Sequence, residues 1–181
     1  ERQPDKSRLL ILFAFLLGLA IGNHYTILIL AIPLIYWLLR TMGWRRLLSP
    51  WYVVALALGL SVYIYLPLRA SQSPPINWGG ADTLRGFFWM ITAEPYQDYA
   101  FRLSRPELIG RIFSWVRLFF EQFNVLGVFL GLAGAYFLRK RVQYLFDATV
   151  IFLLMISIYS ISYGSRDSVV YMVTGMLVFS L

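Results

Sequence analysis

An apolar run from Leu9 to Leu39 contains the only histidine of the chain, inside the stretch Gly22–Tyr25 (GNHY). As one helix its 31 residues would be about 46 Å long, against about 30 Å for the hydrocarbon core of a bilayer. The alternative is a hairpin of two short helices, Leu9–Gly22 and Thr26–Leu39, broken at GNHY. Length alone leaves both readings open, because a tilted helix absorbs part of the excess.

The basic residues around this run favour the hairpin. They are Arg2, Lys6 and Arg8 before it and Arg40, Arg45 and Arg46 after it. A single span would put these two clusters on opposite sides of the membrane, which the positive-inside rule disfavours. A hairpin puts both inside, and the later apolar stretches then place Arg139–Arg141 inside as well. Arms of about 14 residues reach only about 21 Å, so GNHY is expected to stop at membrane depth.

The rest of the chain predicts a polytopic, all-α integral membrane helical bundle. Its mean hydropathy is +0.66 and 59% of its residues are hydrophobic, well above soluble domains. Further apolar stretches are Trp51–Leu68, Phe119–Leu138, Leu145–Tyr163 and Val169–Leu181. We expect a single transmembrane domain over 1–181, with an outer loop and interfacial helix at 69–118. Both ends look cut, so we expect the chain to be part of a longer protein.

Ser104–Glu107 (SRPE) predicts the start of the interfacial helix, because it matches a capping box with proline in the first turn. Apolar residues then recur at helical spacing: Leu108, Ile109, Ile112, Phe113, Val116, Phe119 and Phe120. The other face carries Glu107, Arg111, Ser114, Arg117 and Glu121. This pattern is typical of an amphipathic helix lying on the membrane surface.

Composition excludes several functions. The chain has no cysteine and one histidine, so we expect no metal site and no cofactor. The net charge of +7 is explained by membrane topology and contact with membrane lipids, and we expect no nucleic-acid partner. Nucleotide-binding and hydrolase motifs are missing from the sequence as well.

Several polar positions are candidates for function. An ionisable residue at membrane depth favours a role for Asn23, His24 and Tyr25, although stabilising the helix break explains them equally well. Arg69 follows a span and would suit a lipid-linked phosphate, but an arginine reaching towards the interface beside Trp78 is the more ordinary explanation. The third group consists of Arg166, Asp167 and Tyr171. Arg166 and Asp167 form either a local ion pair or the lining of a cavity.

Three further positions carry structural predictions. Gly18 with Gly22, and Gly127 with Gly131, match the small-residue pattern of helix contacts. Asp147 is expected to pair with the inner basic cluster Arg139–Arg141.

GLAIGNHYT, YLPLRA with PPINWGGADTLRGFFWMITAEPY, and the Asp167–Tyr171 pattern together resemble the transmembrane protein 260 type, over roughly Gly18 to Tyr171. This family comprises eukaryotic protein O-mannosyltransferases and bacterial relatives. The resemblance implies a GT-C membrane glycosyltransferase fold and a polyprenyl-phosphate sugar, with mannose as the expected sugar, transferred to an outer-side acceptor such as protein Ser or Thr. It casts Asn23, His24 and Arg69 as donor-site residues, with Tyr25, Asn77, Trp78, Arg166, Asp167 and Tyr171 as further candidates for binding substrate or lipid phosphate.

The chain departs from the family pattern at four positions: Tyr25 replaces a histidine, Gly80 an aspartate, and Met90 and Ala93 polar residues. The acidic base expected of such an enzyme would lie in an outer loop upstream of this chain, so we assign no catalytic residue. The runner-up is a non-catalytic subunit packing in a larger membrane complex. We expect the bacterial plasma membrane, with the endoplasmic reticulum membrane as the alternative.

Overall fold

The computed structural model describes residues 6–180, most of which are helical. The helices are α1 (Lys6–Asn23), α2 (Ile27–Met42), α3 (Trp44–Leu47), α4 (Pro50–Leu60), α5 (Tyr65–Ala70), α6 (Leu84–Ile91), α7 (Glu94–Gln97), α8 (Arg105–Arg141), α9 (Gln143–Ser162) and α10 (Met172–Phe179). Two 3-10 turns, Ser61–Ile64 and Arg166–Tyr171, precede α5 and α10.

The all-α membrane fold is confirmed. Three described segments are long and apolar enough to cross a membrane: Pro50–Ala70, Arg105–Arg141 and Gln143–Ser162. The described residues fall into two compact units: the first contains 6–31 and 42–95, and the second contains 32–41 and 96–180. The assignment of one domain to the whole chain stays a prediction.

In the first unit, α1 packs closely along α4. Both helices carry a glycine at the crossing, and a Cβ built on Gly59 would lie 2.9 Å from the Cα of Gly18. A Cβ on Gly22 would lie 2.5 Å from a methyl of Val62. The predicted role of Gly18 and Gly22 in helix packing is therefore confirmed.

The register of this contact fixes the direction of the two helices. Gly18 meets Gly59, and further along α1 Gly22 meets Val62. Residue numbers at the contacts rise along both segments, so α1 and α4 run parallel. A single span over 9–39 would bring the chain back through the membrane at α4 and make the two helices antiparallel. The parallel packing therefore supports the hairpin.

The apolar run is also broken where predicted. α1 ends at Asn23 and α2 begins at Ile27, and we call the residues between and including Asn23 and Thr26 the apex. The two helices have 18 and 16 residues, so they are about 27 and 24 Å long and exceed the predicted 14-residue arms.

In the second unit, α8 combines the predicted interfacial helix with the span that follows. The Ser104 backbone N–H donates to Glu107 Oε2 over 2.8 Å, which confirms the capping box. Asn124 interrupts the helix with φ 47° and ψ −175°. Its Oδ1 accepts the Gly127 N–H over 3.1 Å, so Asn124 acts as the N-cap of the second half.

The second half of α8 packs against α9 and α10. A Cβ built on Gly131 would overlap the Phe179 ring, which confirms the predicted contact for this glycine. The corresponding Cβ of Gly127 meets only Phe123 of its own helix. Gly131 is therefore the member of the pair that brings two helices together.

Candidate functional site

The apex exposes polar groups at the end of α1. Asn23 and His24 are exposed, while Tyr25 and Thr26 are half-buried. The His24 N–H donates to the Ala20 carbonyl over 3.0 Å, so the helix ends in an ordinary hydrogen-bonded turn.

His24 is oriented by its neighbour Thr26. The Thr26 backbone N–H and hydroxyl lie 3.3 and 3.0 Å from His24 Nδ1. With Nδ1 accepting the backbone N–H, a neutral imidazole carries its hydrogen on Nε2. Nε2 is then a donor, which is the character needed to contact a phosphate oxygen.

Two tyrosines connect the apex to α4 and its 3-10 extension. The Tyr63 hydroxyl donates to the Ile21 carbonyl over 3.0 Å, close to the end of α1. The Tyr25 hydroxyl is buried and lies close to the Tyr63 side chain. Tyr25, predicted as a binding residue, is therefore placed where it packs the apex against the neighbouring span.

This contact also sets the depth of the apex. Tyr63 lies seven residues before the end of the 21-residue span Pro50–Ala70. At 1.5 to 2.0 Å per residue, the apex lies about 10 to 14 Å short of the end of that span. Since Pro50–Ala70 is long enough to cross a membrane, this offset supports an apex at membrane depth.

Arg69 lies in the last turn of α5, roughly two turns beyond the level of the apex. It is exposed, and its Nη1 donates to Gln72 Oε1 over 3.0 Å. The structure therefore places Arg69 at the C-terminal end of the span whose earlier turns support the apex.

The outer loop after α5 owes its shape to glycines. Asn77 and Trp78 are exposed; the Asn77 amide donates to Asp82 over 3.3 Å, and Trp78 meets the Trp89 ring edge-on. Gly79 has φ +80°, and a Cβ there would lie 2.6 Å from Met90 Cγ. The NWGG motif is thus explained by a tight turn packed on α6, whose N-cap Thr83 accepts from the Gly86 N–H.

Arg166, Asp167 and Tyr171 lie in the second unit. Arg166 and Asp167 are exposed in the 3-10 turn before α10, where the Asp167 N–H donates to Ser165 Oγ over 3.2 Å. The ion pairs found within 6–180 are Arg102 with Asp98 and Arg117 with Glu121, so the predicted pair of Arg166 with Asp167 is not among them.

Tyr171 belongs to a cluster of tyrosine rings. Its ring centroid lies 5.0 Å from that of Tyr159 and 5.5 Å from that of Tyr163, and Tyr99 packs on Tyr163 at 5.8 Å. Burial, with Tyr171 and Tyr99 nearby, raises the pKa of the Tyr163 phenol.

Arg111 is a site residue that the sequence pattern placed wrongly on the solvent face of the interfacial helix. It is half-buried: Nη1 donates to the Tyr163 carbonyl over 2.9 Å and to Ser168 Oγ, and Nη2 donates to the Ser165 carbonyl over 3.0 Å. Phe113, on the predicted apolar face, is 71% exposed, as expected for a face that turns towards lipid. In a membrane the apolar face turns towards lipid, and the arginine turns towards protein carbonyls.

Asp147 also differs from its prediction. It lies one turn into α9 and accepts the Tyr36 hydroxyl over 2.9 Å, whereas Arg139 lies over the Phe146 ring and Lys140 over the Tyr136 ring. Pairing of Asp147 with the inner basic cluster was therefore wrong. A phenol suits a half-buried carboxylate because it supplies a hydrogen bond without burying a second charge.

Comparison with known proteins points to one family. The model of the Protein O-mannosyl-transferase TMEM260 N-terminal domain matches residues 1–48. The chain is 28% identical over 139 residues to Protein O-mannosyl-transferase tmem260 of Dictyostelium discoideum, covering 70% of the chain and 16% of that protein. It is 30% identical over 119 residues to Protein O-mannosyl-transferase TMEM260 of Mus musculus, covering 63% of the chain and 16% of that protein.

The matched part of the chain thus spans only 16% of the length of these relatives, and no solved structure matches the chain. The family match over 1–48 contains the apex, for which the register of α1 and α4 supports a position at membrane depth. The comparisons confirm that this membrane protein resembles the TMEM260 type of protein O-mannosyl-transferase.

Proposed function

We propose that the chain is part of a membrane protein O-mannosyltransferase of the GT-C type. Its donor would be a polyprenyl-phosphate-linked mannose, and its acceptor a protein Ser or Thr hydroxyl on the outer side of the membrane. The names of the similar proteins support the transfer of mannose to protein. The observation that supports a lipid-linked donor is the apex, because it holds polar side chains at the depth where a lipid phosphate and its sugar would meet the protein.

In this proposal the apex contacts the donor phosphate. When the acceptor oxygen attacks the anomeric carbon, the bond from that carbon to the phosphate oxygen breaks and the lipid phosphate leaves with the electron pair. Hydrogen-bond donors already held in place stabilise that developing charge. His24 Nε2 is such a donor, since Thr26 orients the ring through Nδ1.

Arg69 has a separate role in the proposal. Its guanidinium lies at the outer end of the same span, where it would attract the anionic donor and the sugar-phosphate region. Arg166, Asp167 and Tyr171 stay predictions for substrate contact. The proton of the acceptor hydroxyl goes to a carboxylate base that we assign to no residue of this chain.

The test is donor-dependent transfer by the full-length protein in vesicles of defined phospholipid. Polyprenyl-phosphate [3H]mannose and a Ser/Thr acceptor peptide are supplied, and the initial rate is measured against donor concentration. Removing one charge-stabilising donor typically lowers kcat about 100-fold, so His24→Ala should lower turnover by that order. His24→Gln, which keeps an N–H donor, should recover part of the rate.

Gly110→Ala on α8 is the control, because a Cβ at Gly110 meets nothing within 4 Å. Turnover by His24→Ala equal to that of the control would remove His24 from the donor site. No transfer by folded wild-type protein, together with a stoichiometric membrane partner, would favour the non-catalytic subunit. Both similar proteins are eukaryotic and give no support for a bacterial membrane. The bacterial plasma membrane therefore stays a prediction.

A further inference from the structure

The second unit contains an apolar cavity between α8, α9 and α10. Its volume is about 310 Å³, and its wall includes Phe119, Leu132, Leu154 and Phe179. Ser157, which also lines it, donates its hydroxyl to the Leu153 carbonyl over 2.6 Å, so the polar atom is already satisfied within α9. The cavity therefore offers almost only apolar contact.

A smaller cavity of about 40 Å³, whose wall includes several polar side chains, adjoins it. Arg111, Ser114, Ser160 and Ser168 line this second space, and Trp115 and Met172 line both. The two cavities thus share part of their walls, with charge at one end and apolar surface at the other. This is the polarity of a membrane lipid.

The positive end is held in place by neutral groups. Arg111 donates to two backbone carbonyls and to Ser168 Oγ, while the Ser160 hydroxyl donates to the Ser168 carbonyl over 2.7 Å. Within 6–180 the two salt bridges involve other arginines. Arg111 therefore forms no salt bridge among the described residues, although the charge of Glu107, one turn earlier, interacts with it at longer range. An anionic headgroup would complement the guanidinium directly.

The size of the apolar cavity sets the number of lipid tails. A methylene group occupies roughly the volume of a water molecule, about 30 Å³, so 310 Å³ holds about ten carbons of one chain. Two of the three helices around the cavity are long and apolar enough to cross a membrane, so lipid tails are the surrounding solvent at this depth.

We propose that this groove binds an anionic glycerophospholipid, with one acyl chain between α8, α9 and α10 and the phosphate beside Arg111. This lipid is distinct from the sugar donor at the apex, and the proposal does not depend on mannose transfer.

The test uses photo-crosslinking in vesicles that contain full-length protein. The probes are phosphatidylglycerol and phosphatidylcholine, each carrying a diazirine in one acyl chain, and labelled peptides are mapped by mass spectrometry. A charge-assisted contact gives about a tenfold preference for the anionic probe on peptides of α8 to α10. Arg111→Gln should remove that preference.

Two matched variants test the groove independently, in case the Arg111 variant does not fold. Leu154 lines the cavity and is 57% exposed, so Leu154→Trp fills the groove from its open side. Ile158 is on the same helix and 56% exposed but does not line the cavity. Leu154→Trp should reduce labelling by phosphatidylglycerol about fivefold or more, and Ile158→Trp should leave it within about twofold.

Equal labelling by the two probes in the wild type would show bulk lipid contact and overturn the proposal. So would equal labelling in Leu154→Trp and Ile158→Trp. Displacement of the phosphatidylglycerol probe by stoichiometric polyprenyl phosphate would assign the groove to the donor tail instead. A retained signal under that competition supports a separate phospholipid.

Discussion

The crossing of α1 and α4 predicts that one added methyl group at Gly59 is costly. In Gly59→Ala the new Cβ would lie 2.8 Å from Leu19 N and 2.9 Å from Gly18 Cα, and it also meets the Phe15 carbonyl. These are backbone atoms, so no side-chain rotation relieves the overlap. Restoring an ordinary 3.4 Å contact to Leu19 N requires the helices to part by at least roughly 0.6 Å.

The free energy of unfolding should fall by about 1–2 kcal/mol. Overpacking in a close contact costs about 1–3 kcal/mol, and a gap of about 0.5–1 Å forfeits a quarter to a half of the dispersion attraction along the interface. Alanine is a better helix former than glycine by about 1 kcal/mol, which offsets part of this cost.

Gly110→Ala and Gly134→Ala measure the gain in helix propensity alone. A Cβ at either position meets nothing within 4 Å, so only the gain in helix propensity remains and these variants should be stabilised by up to about 1 kcal/mol. The two kinds of glycine therefore give effects of opposite sign for the same substitution.

The assay is reversible unfolding of full-length protein in bicelles, with midpoints compared at equal protein and lipid concentrations. A Gly59→Ala protein as stable as Gly110→Ala would refute the close crossing of α1 and α4. It would also remove the register argument that fixes the depth of the apex.

Two other positions give smaller and more local effects. Asn124→Ala removes the cap on the Gly127 N–H and places alanine at φ 47°, so it should lower stability by about 1–2 kcal/mol in the same unfolding assay, whereas Asn124→Gly should cost less. Gly79→Ala puts a Cβ 2.6 Å from Met90 Cγ at φ +80° and should increase protease cleavage of the outer loop, with Gly80→Ala less affected because its nearest contact is 3.6 Å. Equal cleavage of the two glycine variants would contradict the packing of Gly79 on α6.

The elements that the sequence predicts best are those set by local chemistry. The capping box at Ser104 and Glu107 needs only residues three apart, and the structure shows it. The break near Asn23 follows from comparing the length of an apolar run with the thickness of a bilayer and from counting charges on its two sides. Each of these depends on neighbouring residues or on the membrane, so a single sequence suffices.

The errors come from the orientation of helix faces and from distant partners. The pattern around Arg111 placed it on the polar face of a surface helix, but the structure turns it towards the carbonyls of Tyr163 and Ser165, which lie 52 and 54 positions away in sequence. Asp147 is paired with Tyr36, which is 111 positions away in sequence, so no local spacing points to it. Gly59 was missed for the same reason, since its role depends on a second helix.

Gly59 and His24 are connected by geometry although they lie on different helices. Gly59 allows α4 to approach α1 closely, and the 3-10 turn that follows then brings the Tyr63 hydroxyl to the Ile21 carbonyl. That contact is three residues before His24, so it sets how far the imidazole lies below the outer end of the span. The depth of the proposed donor site is therefore a property of the α1–α4 interface, and a family member that lacked a small residue at the crossing would need another means of holding the apex there.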